Sequence, residues 1–312
     1  MLAQLKVDFP ADLRIVYRHY PLVTIHDKAA MAAQAAEAAG AQGKFWQMHD
    51  LLYLRQNEWA GLPADQFPAW VTARAKELRL AEGAFASDFT GLELNHLVMQ
   101  AWESGQEIGI PGTPFLLING EIYTGPTDYT NLSLIVRLYS LQIRQFSSCP
   151  PMIVDSNREY TAVIESVRGN IVIELFADLA PLAVNNFVFL AQNGWYNGVT
   201  FHRVIPGRLA QAGDPSGTGF GGPGYAFVNE YSDLTFDQPG MLAMANAGSD
   251  TNGSQFFITF GPEPGYNGEY TIFGRVIDGL LVAQLLTPRN PDQGGLNLPP
   301  GDKIITIRIE VR

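Results

Sequence analysis

The stretch that decides the fold of the second half of the chain is residues 201–214, which read FHRVIPGRLAQAGD. Three more segments follow in order: MANAG at 244–248, TNGSQFFI at 251–258 and YTIFG at 270–274. Each combines a short apolar run with glycine, asparagine or proline, the residues that make turns. The second half is therefore predicted to consist of short strands joined by tight turns.

The strand pattern continues outward from these segments. Residues 160–165 and 170–176 alternate in polarity around Arg168-Gly169, as the arms of a β-hairpin do. Pro181 opens a helical stretch, and residues 303–311 form a last strand that is long enough to pair with the first. A sheet that closes on itself has no exposed edges, so an all-β closed barrel is expected.

The quoted segments resemble the cyclophilin-type peptidyl-prolyl cis-trans isomerases, and the resemblance covers about residues 160–311. It implies a closed barrel with two capping helices that isomerises X-Pro bonds of unfolded or flexible polypeptides and assists protein folding. Rotating an X-Pro amide disrupts its resonance against a barrier of about 20 kcal/mol. Since no bond has to be made, we expect no cofactor.

By this resemblance the catalytic residues are Arg203, Gln211 and Asn246. When the amide twists, the proline nitrogen regains a lone pair, and a fixed donor such as Arg203 binds it more strongly than in the planar state. A guanidinium suits this role because it is planar and always charged near neutral pH. Gln211 is expected to orient the arginine and the substrate carbonyl, and the Asn246 backbone to hold the substrate chain.

The resemblance also implies a set of substrate-binding side chains around an apolar pocket for the proline ring. They are Phe201, His202, Arg208, Leu209, Ala245, Ala247, Gln255, Phe257, Tyr266 and Tyr270. From their residue types alone, Leu209 and Phe257 could equally be core side chains. His202 is expected to be packed and hydrogen-bonded rather than to act as an acid or base, because the reaction transfers no proton.

Two positions depart from the family pattern. Arg208 stands where most members place a phenylalanine, and Gly265 with Tyr266 stand where active members often carry tryptophan and leucine. The first departure leaves open a non-catalytic peptide-binding or scaffold protein with an impaired proline pocket. The second implies that cyclosporin-like ligands bind weakly.

The first half is rich in alanine and in helical periodicity. Its distinctive segments are RHYPL at 18–22, AQGKFWQMHD at 41–50 and GIPGTPF at 109–115. They resemble DsbA-type thioredoxin-fold oxidoreductases over about residues 5–145, which implies an α/β fold with a helical insertion and a cis peptide bond before Pro114. The CxxC of that family would precede the first residue, so the domain is expected to be incomplete at its N-terminus. This half is then either a degenerate binding platform or a part of a longer protein.

Secondary-structure signals divide the first half further. The pattern predicts a strand at 13–17, a hairpin at 115–123 with a type I′ turn at Asn119-Gly120, and several helices. The helices are expected at 28–39 with a glycine cap at Gly40, and at 44–55, 63–80, 92–104 and 131–145.

The cluster SSCPP, which follows the last of these helices, predicts a linker between two domains. We expect a thioredoxin-fold domain without redox motif at 1–147, a linker at 148–157 and the isomerase domain at 158–312.

The composition of the chain excludes several classes of binding partner. The net charge is −11 with no basic stripe, which argues against nucleic acid, and no apolar run of 18 residues supports membrane insertion. The only cysteine is Cys149, which excludes a dithiol pair within this chain, and the histidines show no metal-ligand spacing. Proline-containing peptides and unfolded proteins are the expected partners.

The first residues lack the apolar core of a signal peptide. The chain is therefore expected to be cytoplasmic as it stands, or extracytoplasmic if an upstream signal peptide was removed.

Overall fold

A computed structural model describes residues 1–294 and 298–312. The chain divides into two compact units, Ile15–Gly125 and the combination of Met1–Arg14 with Pro126–Arg312. The second unit includes residues 1–14 and the helix at the end of the first half, both of which sequence analysis assigned to the first domain. After that helix, the Phe146 N–H donates to the Pro223 carbonyl at 2.8 Å, which ties the segment to the barrel. The domain limits derived from sequence remain a prediction.

Most of the first 145 residues are helical. The helices are α1 (Leu2–Asp8), α2 (Ala29–Gly40), α3 (Phe45–Leu54), α4 (Gln56–Trp59), α5 (Phe67–Glu77), α6 (Glu82–Thr90), α7 (Leu92–Glu107) and α8 (Tyr129–Leu141). A hairpin of β1 (Leu116–Ile118) and β2 (Glu121–Tyr123) lies between the last two helices. Asn119 and Gly120 both have positive φ, at 51° and 91°, which confirms the predicted type I′ turn.

The core of the unit Ile15–Gly125 forms around α2. Fully buried alanines such as Ala35 and Ala38 let neighbouring helices approach closely, and Met48, Phe67 and Phe85 fill the remaining space. The Thr113–Pro114 peptide bond is cis, as the resemblance implied.

Three details of the first half differ from the expectations. Residues 13–17 form no strand, because within the described residues no backbone segment pairs with them. Helices α1, α4 and α6 were not predicted. The expected cap at Gly40 is also wrong: Gly40 is the last residue of α2, and the glycine with left-handed backbone is Gly43, with φ of 72°.

The second unit is built on one antiparallel sheet. Its strands are β3 (Tyr160–Ser166), β4 (Gly169–Leu175), β5 (Arg203–Ile205), β6 (Leu209–Ala212), β7 (Met241–Met244), β8 (Phe256–Thr259), β9 (Ile272–Asp278) and β10 (Ile304–Val311). They are ordered β10-β3-β4-β9-β7-β8-β6-β5. The predicted pairing of the last strand with the first of the barrel is confirmed, as is the first hairpin.

The sheet curls into a half-barrel whose two end strands are β10 and β5. Where the closed barrel was expected to have a continuous ladder, the ends are joined by an isolated bridge between Thr200 and Lys303. The Ile304 N–H donates to the Val199 carbonyl at 2.8 Å beside that bridge. The seam, which is the boundary between β5 and β10, is therefore closed by a few hydrogen bonds rather than by paired strands.

Alternation along the strands separates a core face from a second face. Phe256 and Ile258 of β8 lie in the main core, against helix α9 (Pro181–Gln192), whereas Phe257 between them belongs to a separate cluster on the other face. On β6, Ala210 joins the core and Leu209 joins the second cluster. The short helices α10 (Leu280–Gln284) and α11 (Pro291–Gly294) follow β9.

No helix among the described residues has both the length and the apolar character needed to cross a membrane. Residues 1–294 and 298–312 contain no group of three or more His, Cys, Asp or Glu side chains arranged to hold a metal ion.

Candidate functional site

Three predicted site residues lie in one row across three adjacent strands. Arg203 on β5 pairs with Gln211 on β6, and Gln211 pairs with Phe257 on β8. Directly paired residues of antiparallel strands have their side chains on the same face, within about 5 Å at Cβ. The register therefore brings an arginine, an amide and an aromatic ring together on the face away from the core.

The Arg203 guanidinium is held by a hydrogen bond from one of its three nitrogen atoms. Its Nη2 donates to a carboxylate oxygen of Asp292 in α11 at 2.8 Å, and a third of its side chain is exposed. Its Nε is buried and has no hydrogen-bond partner among the described residues. The Nη1 group also makes no hydrogen bond to a described residue, so this end of the guanidinium is the donor left for a ligand.

Gln211 and Gln255 form a relay of amide hydrogen bonds. Gln211 Nε2 donates to Gln255 Oε1 at 2.9 Å, and Gln255 Nε2 donates to the carbonyls of Gly219 and Gly221, each at 2.9 Å. Gln255 thus fixes both the Gln211 side chain and a glycine-rich loop beside it.

That loop is organised by Asp214, which sequence analysis did not select. Its fully buried carboxylate accepts hydrogen bonds from the backbone N–H groups of Ser216, Thr218, Gly219 and Gly221, at 2.7 to 3.1 Å. An aspartate that follows a strand and a glycine and precedes a run of Ser, Thr and Gly is the signal that could have identified it.

The apolar pocket is built from rings. Phe257 lies 5.2 Å from Tyr270 and 5.7 Å from Tyr266 between ring centroids, both edge-on, and stacks on Phe236 at 5.9 Å. Leu209 is buried in the same cluster, and the half-buried Ala245 packs against it. Phe236 was not predicted, because it lies in a segment without strand or helix periodicity.

The half-buried Asn246 and the exposed Ala247 follow Ala245 at the border of this cluster. The Asn246 side chain donates to the Glu269 carbonyl at 3.3 Å, and the Ala247 N–H donates to Thr251 Oγ1 at 2.9 Å. The main-chain N–H and C=O of Asn246 make no hydrogen bond within residues 1–294 and 298–312. They are free to pair with an extended ligand.

Arg208 is firmly tied. Its Nε and Nη2 donate to the two carboxylate oxygens of Glu263 at 3.0 and 3.1 Å, and Nη2 also donates to the Tyr266 hydroxyl at 2.9 Å. The hydrogen bond with Glu263 raises the pKa of Arg208 above its usual value. Sequence analysis missed Glu263, which lies 55 residues away in the chain.

Burial in the main core corrects one predicted substrate contact, and the expected hydrogen bonding of another is not found among the described residues. Phe201 is fully buried in the main core and presents no surface to a peptide. His202 is 3% exposed, and neither ring nitrogen has a hydrogen-bond partner among the described residues, so the expected hydrogen bond is absent there. Burial lowers the pKa of His202 to about 4; the Asp214 carboxylate opposes this shift, while Arg289 and Arg203 add to it.

Comparison with known proteins agrees with this geometry. The family model for cyclophilin type peptidyl-prolyl cis-trans isomerases matches residues 161–308, and the model for thioredoxin matches residues 7–137. Peptidyl-prolyl cis-trans isomerase A of Mycobacterium tuberculosis is 52% identical over 134 residues, which are 38% of this chain and 74% of that protein. The isomerase ppi1 of Schizosaccharomyces pombe is 50% identical over 125 residues, which are 39% of this chain and 81% of that protein.

A solved cyclophilin type isomerase of Cryptosporidium parvum is 36% identical, with a TM-score of 0.45; the match covers 49% of this chain and 98% of that one. Another structure of the same isomerase was determined in the presence of the dipeptide Ala-Pro. The high identity to the two curated relatives, over most of their length, decides the family. This chain carries a thioredoxin-like domain in its first half and, with its second half, belongs to the cyclophilin-type peptidyl-prolyl cis-trans isomerases.

Proposed function

We propose that the half-barrel isomerises X-Pro bonds of unfolded or flexible polypeptides, with Arg203 as the catalytic donor. The observation that carries this proposal is the row of Arg203, Gln211 and Phe257 across three strands, which sets a guanidinium beside an aromatic pocket. An apolar ring beside a fixed positive donor is complementary to a proline whose amide is twisted.

Each part of the site has a separate task in this mechanism. The proline ring packs against Phe257 and Leu209, where water is excluded. The Asn246 main chain pairs with the peptide and holds one side of the bond still, while the other side rotates. As the amide twists, its nitrogen regains a lone pair, and the Arg203 guanidinium donates a hydrogen bond to it. Gln211, itself held by Gln255, keeps the arginine and the substrate carbonyl in register.

No atom is transferred in this reaction, so its rate depends on how rigidly the donor and the pocket are placed. The amide relay and the bonds to Asp214 supply that rigidity on one side of the site. The Nη1 group of Arg203 supports the same mechanism, because it has no hydrogen-bond partner among the described residues and can donate to a substrate acceptor.

We further propose that the thioredoxin-like domain is a non-redox binding or docking module that presents unfolded chains to the isomerase. Support comes from the cysteine content: the only cysteine, Cys149, lies outside the residues 7–137 that match thioredoxin. A single thiol cannot alternate between dithiol and disulfide within this chain. Holding polypeptide for an adjacent folding catalyst is a role that needs no redox chemistry.

The test is the Arg203→Ala variant assayed on an Ala-Pro peptide without added metal or cofactor. We expect kcat/KM to fall by about 10²-fold or more, as removal of one preorganised donor does in other enzymes. Arg275→Ala is the matched control, because Arg275 is a half-exposed arginine of the same sheet that pairs with Glu174 at 2.8 Å. Wild-type turnover in Arg203→Ala would refute the mechanism. Tight peptide binding without turnover by the unmodified protein would instead indicate a scaffold.

A further inference from the structure

The rim of the proline pocket carries a charge pair in place of the expected aromatic side chain. Arg208 uses three of its five N–H groups, two toward Glu263 and one toward Tyr266. Its Nη1 makes no hydrogen bond to any described residue, and half of the side chain is exposed. The guanidinium is therefore fixed on one edge and open to solvent on the other.

Contacts of Tyr266 connect this pair to the pocket. The Arg208 guanidinium lies 5.9 Å from the Tyr266 ring centroid, and that ring is 5.7 Å from Phe257 and 5.2 Å from Tyr270. The backbone is fixed as well, since the Phe260 N–H donates to the Arg208 carbonyl at 2.7 Å. A proline ring on Phe257 would place its neighbouring residues close to this guanidinium.

Glu263 is more buried and more firmly paired than an ordinary surface carboxylate. Only 16% of its side chain is exposed, and both of its oxygens accept from one guanidinium. A two-bond pair between Arg and a carboxylate fixes orientation as well as charge. Without Glu263, the charge of Arg208 would be uncompensated and its side chain free to leave the ring.

We propose that Glu263 is a positioning residue that sets the charge selectivity of the proline site. It holds Arg208 against Tyr266 as a wall of the pocket and cancels its charge, so that polypeptides are accepted whatever the charge of the residue beside proline. This inference rests on the proposed function of the site. It assigns the substrate class as flexible chains with acidic, neutral or basic residues next to proline.

The experiment measures kcat/KM for three peptides that differ only in having Glu, Ala or Lys next to proline. The proteins are wild type, Glu263→Gln, Arg208→Gln and the double variant. We expect the wild-type ratio between the Glu and Lys peptides to lie within about twofold of one. At a partly exposed rim, one uncompensated charge changes such a ratio by about three- to tenfold.

Glu263→Gln should raise the Glu/Lys ratio by that factor, and Arg208→Gln, which leaves Glu263 alone, should lower it. The double variant should return to the wild-type ratio, and 0.5 M salt should reduce both shifts. A ratio in Glu263→Gln that stays within twofold of wild type would overturn the inference. If Glu263→Gln does not fold, Arg208→Gln and the double variant decide the matter by the same ratio.

Equilibrium binding of the same labelled peptides, followed by fluorescence anisotropy, separates this inference from the proposed function. If no protein isomerises any peptide while binding shows the charge shifts, the catalytic proposal fails and the selectivity assignment holds. If all proteins turn over peptide and neither turnover nor binding changes with charge, only the role of Glu263 fails.

Discussion

Arg203 and Arg208 are five residues apart and border the same pocket, yet they are held very differently. Arg203 has one bond, to an Asp292 that is 66% exposed, and a buried Nε without a partner among the described residues. Arg208 has three bonds, two of them to a Glu263 that is 16% exposed. The same type of side chain can therefore serve as a donor kept for the substrate or as a wall, depending on how many N–H groups the protein itself occupies.

The surroundings of Arg203 include the buried imidazole of His202. The largest expected effect is a dependence of the free energy of unfolding on pH that arises from His202. The pKa of His202 is lowered to about 4, below its value in an unfolded chain, so between pH 6.5 and 4 the unfolded state binds more protons. The free energy of unfolding should therefore fall as the pH decreases across that window, by up to about 3 kcal/mol from this group.

Urea unfolding at several pH values measures this fall. His202→Gln, which carries no charge at any of these pH values, is the control and should show a correspondingly smaller decrease between pH 6.5 and 4. Equal pH dependence in the two proteins would mean that protonation of His202 is not opposed by its surroundings.

The second prediction concerns the other arginine. Arg208→Phe restores the aromatic contact usual in the family, but it leaves the little-exposed carboxylate of Glu263 without its cation. We therefore expect the full gain of about tenfold in kcat/KM on a neutral Ala-Pro peptide only when Glu263→Gln accompanies it, since an aromatic contact contributes about 1.4 kcal/mol. Arg208→Phe alone should gain less. A folded double variant with lower activity than wild type would show that Arg208 itself favours catalysis.

The smallest expected effect concerns the single ion pair of Arg203, with Asp292. Asp292→Asn removes the charge that holds Arg203 and should raise kcat/KM by about two- to threefold at low salt, because exposed ion pairs contribute up to about 1 kcal/mol. Glu174→Gln, which breaks the exposed pair with Arg275, is the control and should change nothing. A decrease in Asp292→Asn would instead show that Asp292 orients the catalytic arginine.

The sequence motifs predicted one side of the site better than the other. Arg203, Gln211 and Phe257 could be placed because they belong to the segments that carry the family resemblance, and strand register then brings them together. Glu263 and Asp292 could not, since each meets its arginine only through folding, across 55 and 89 residues of chain.

Two wrong expectations fall on stretches that have no β ladder. Residues 13–17 are rich in side chains that favour strands but have no strand partner among the described residues. Phe201 is two residues before Arg203 and would share its face on a regular strand, but β5 begins only at Arg203. A period of two predicts the side-chain direction only where backbone pairing enforces it.

The seam of the half-barrel lies beside β5, the strand that carries Arg203. Strand β5 has a three-residue ladder with β6 on one side, and isolated bridges at Val204–Arg289 and Thr200–Lys303 join this part of the chain to residues near the C-terminus. Short ladders open locally at a lower free energy than long ones, without unfolding the rest of the sheet. Local opening of β5 would therefore displace Arg203, whereas Phe257, on a strand paired along both edges, would stay in place.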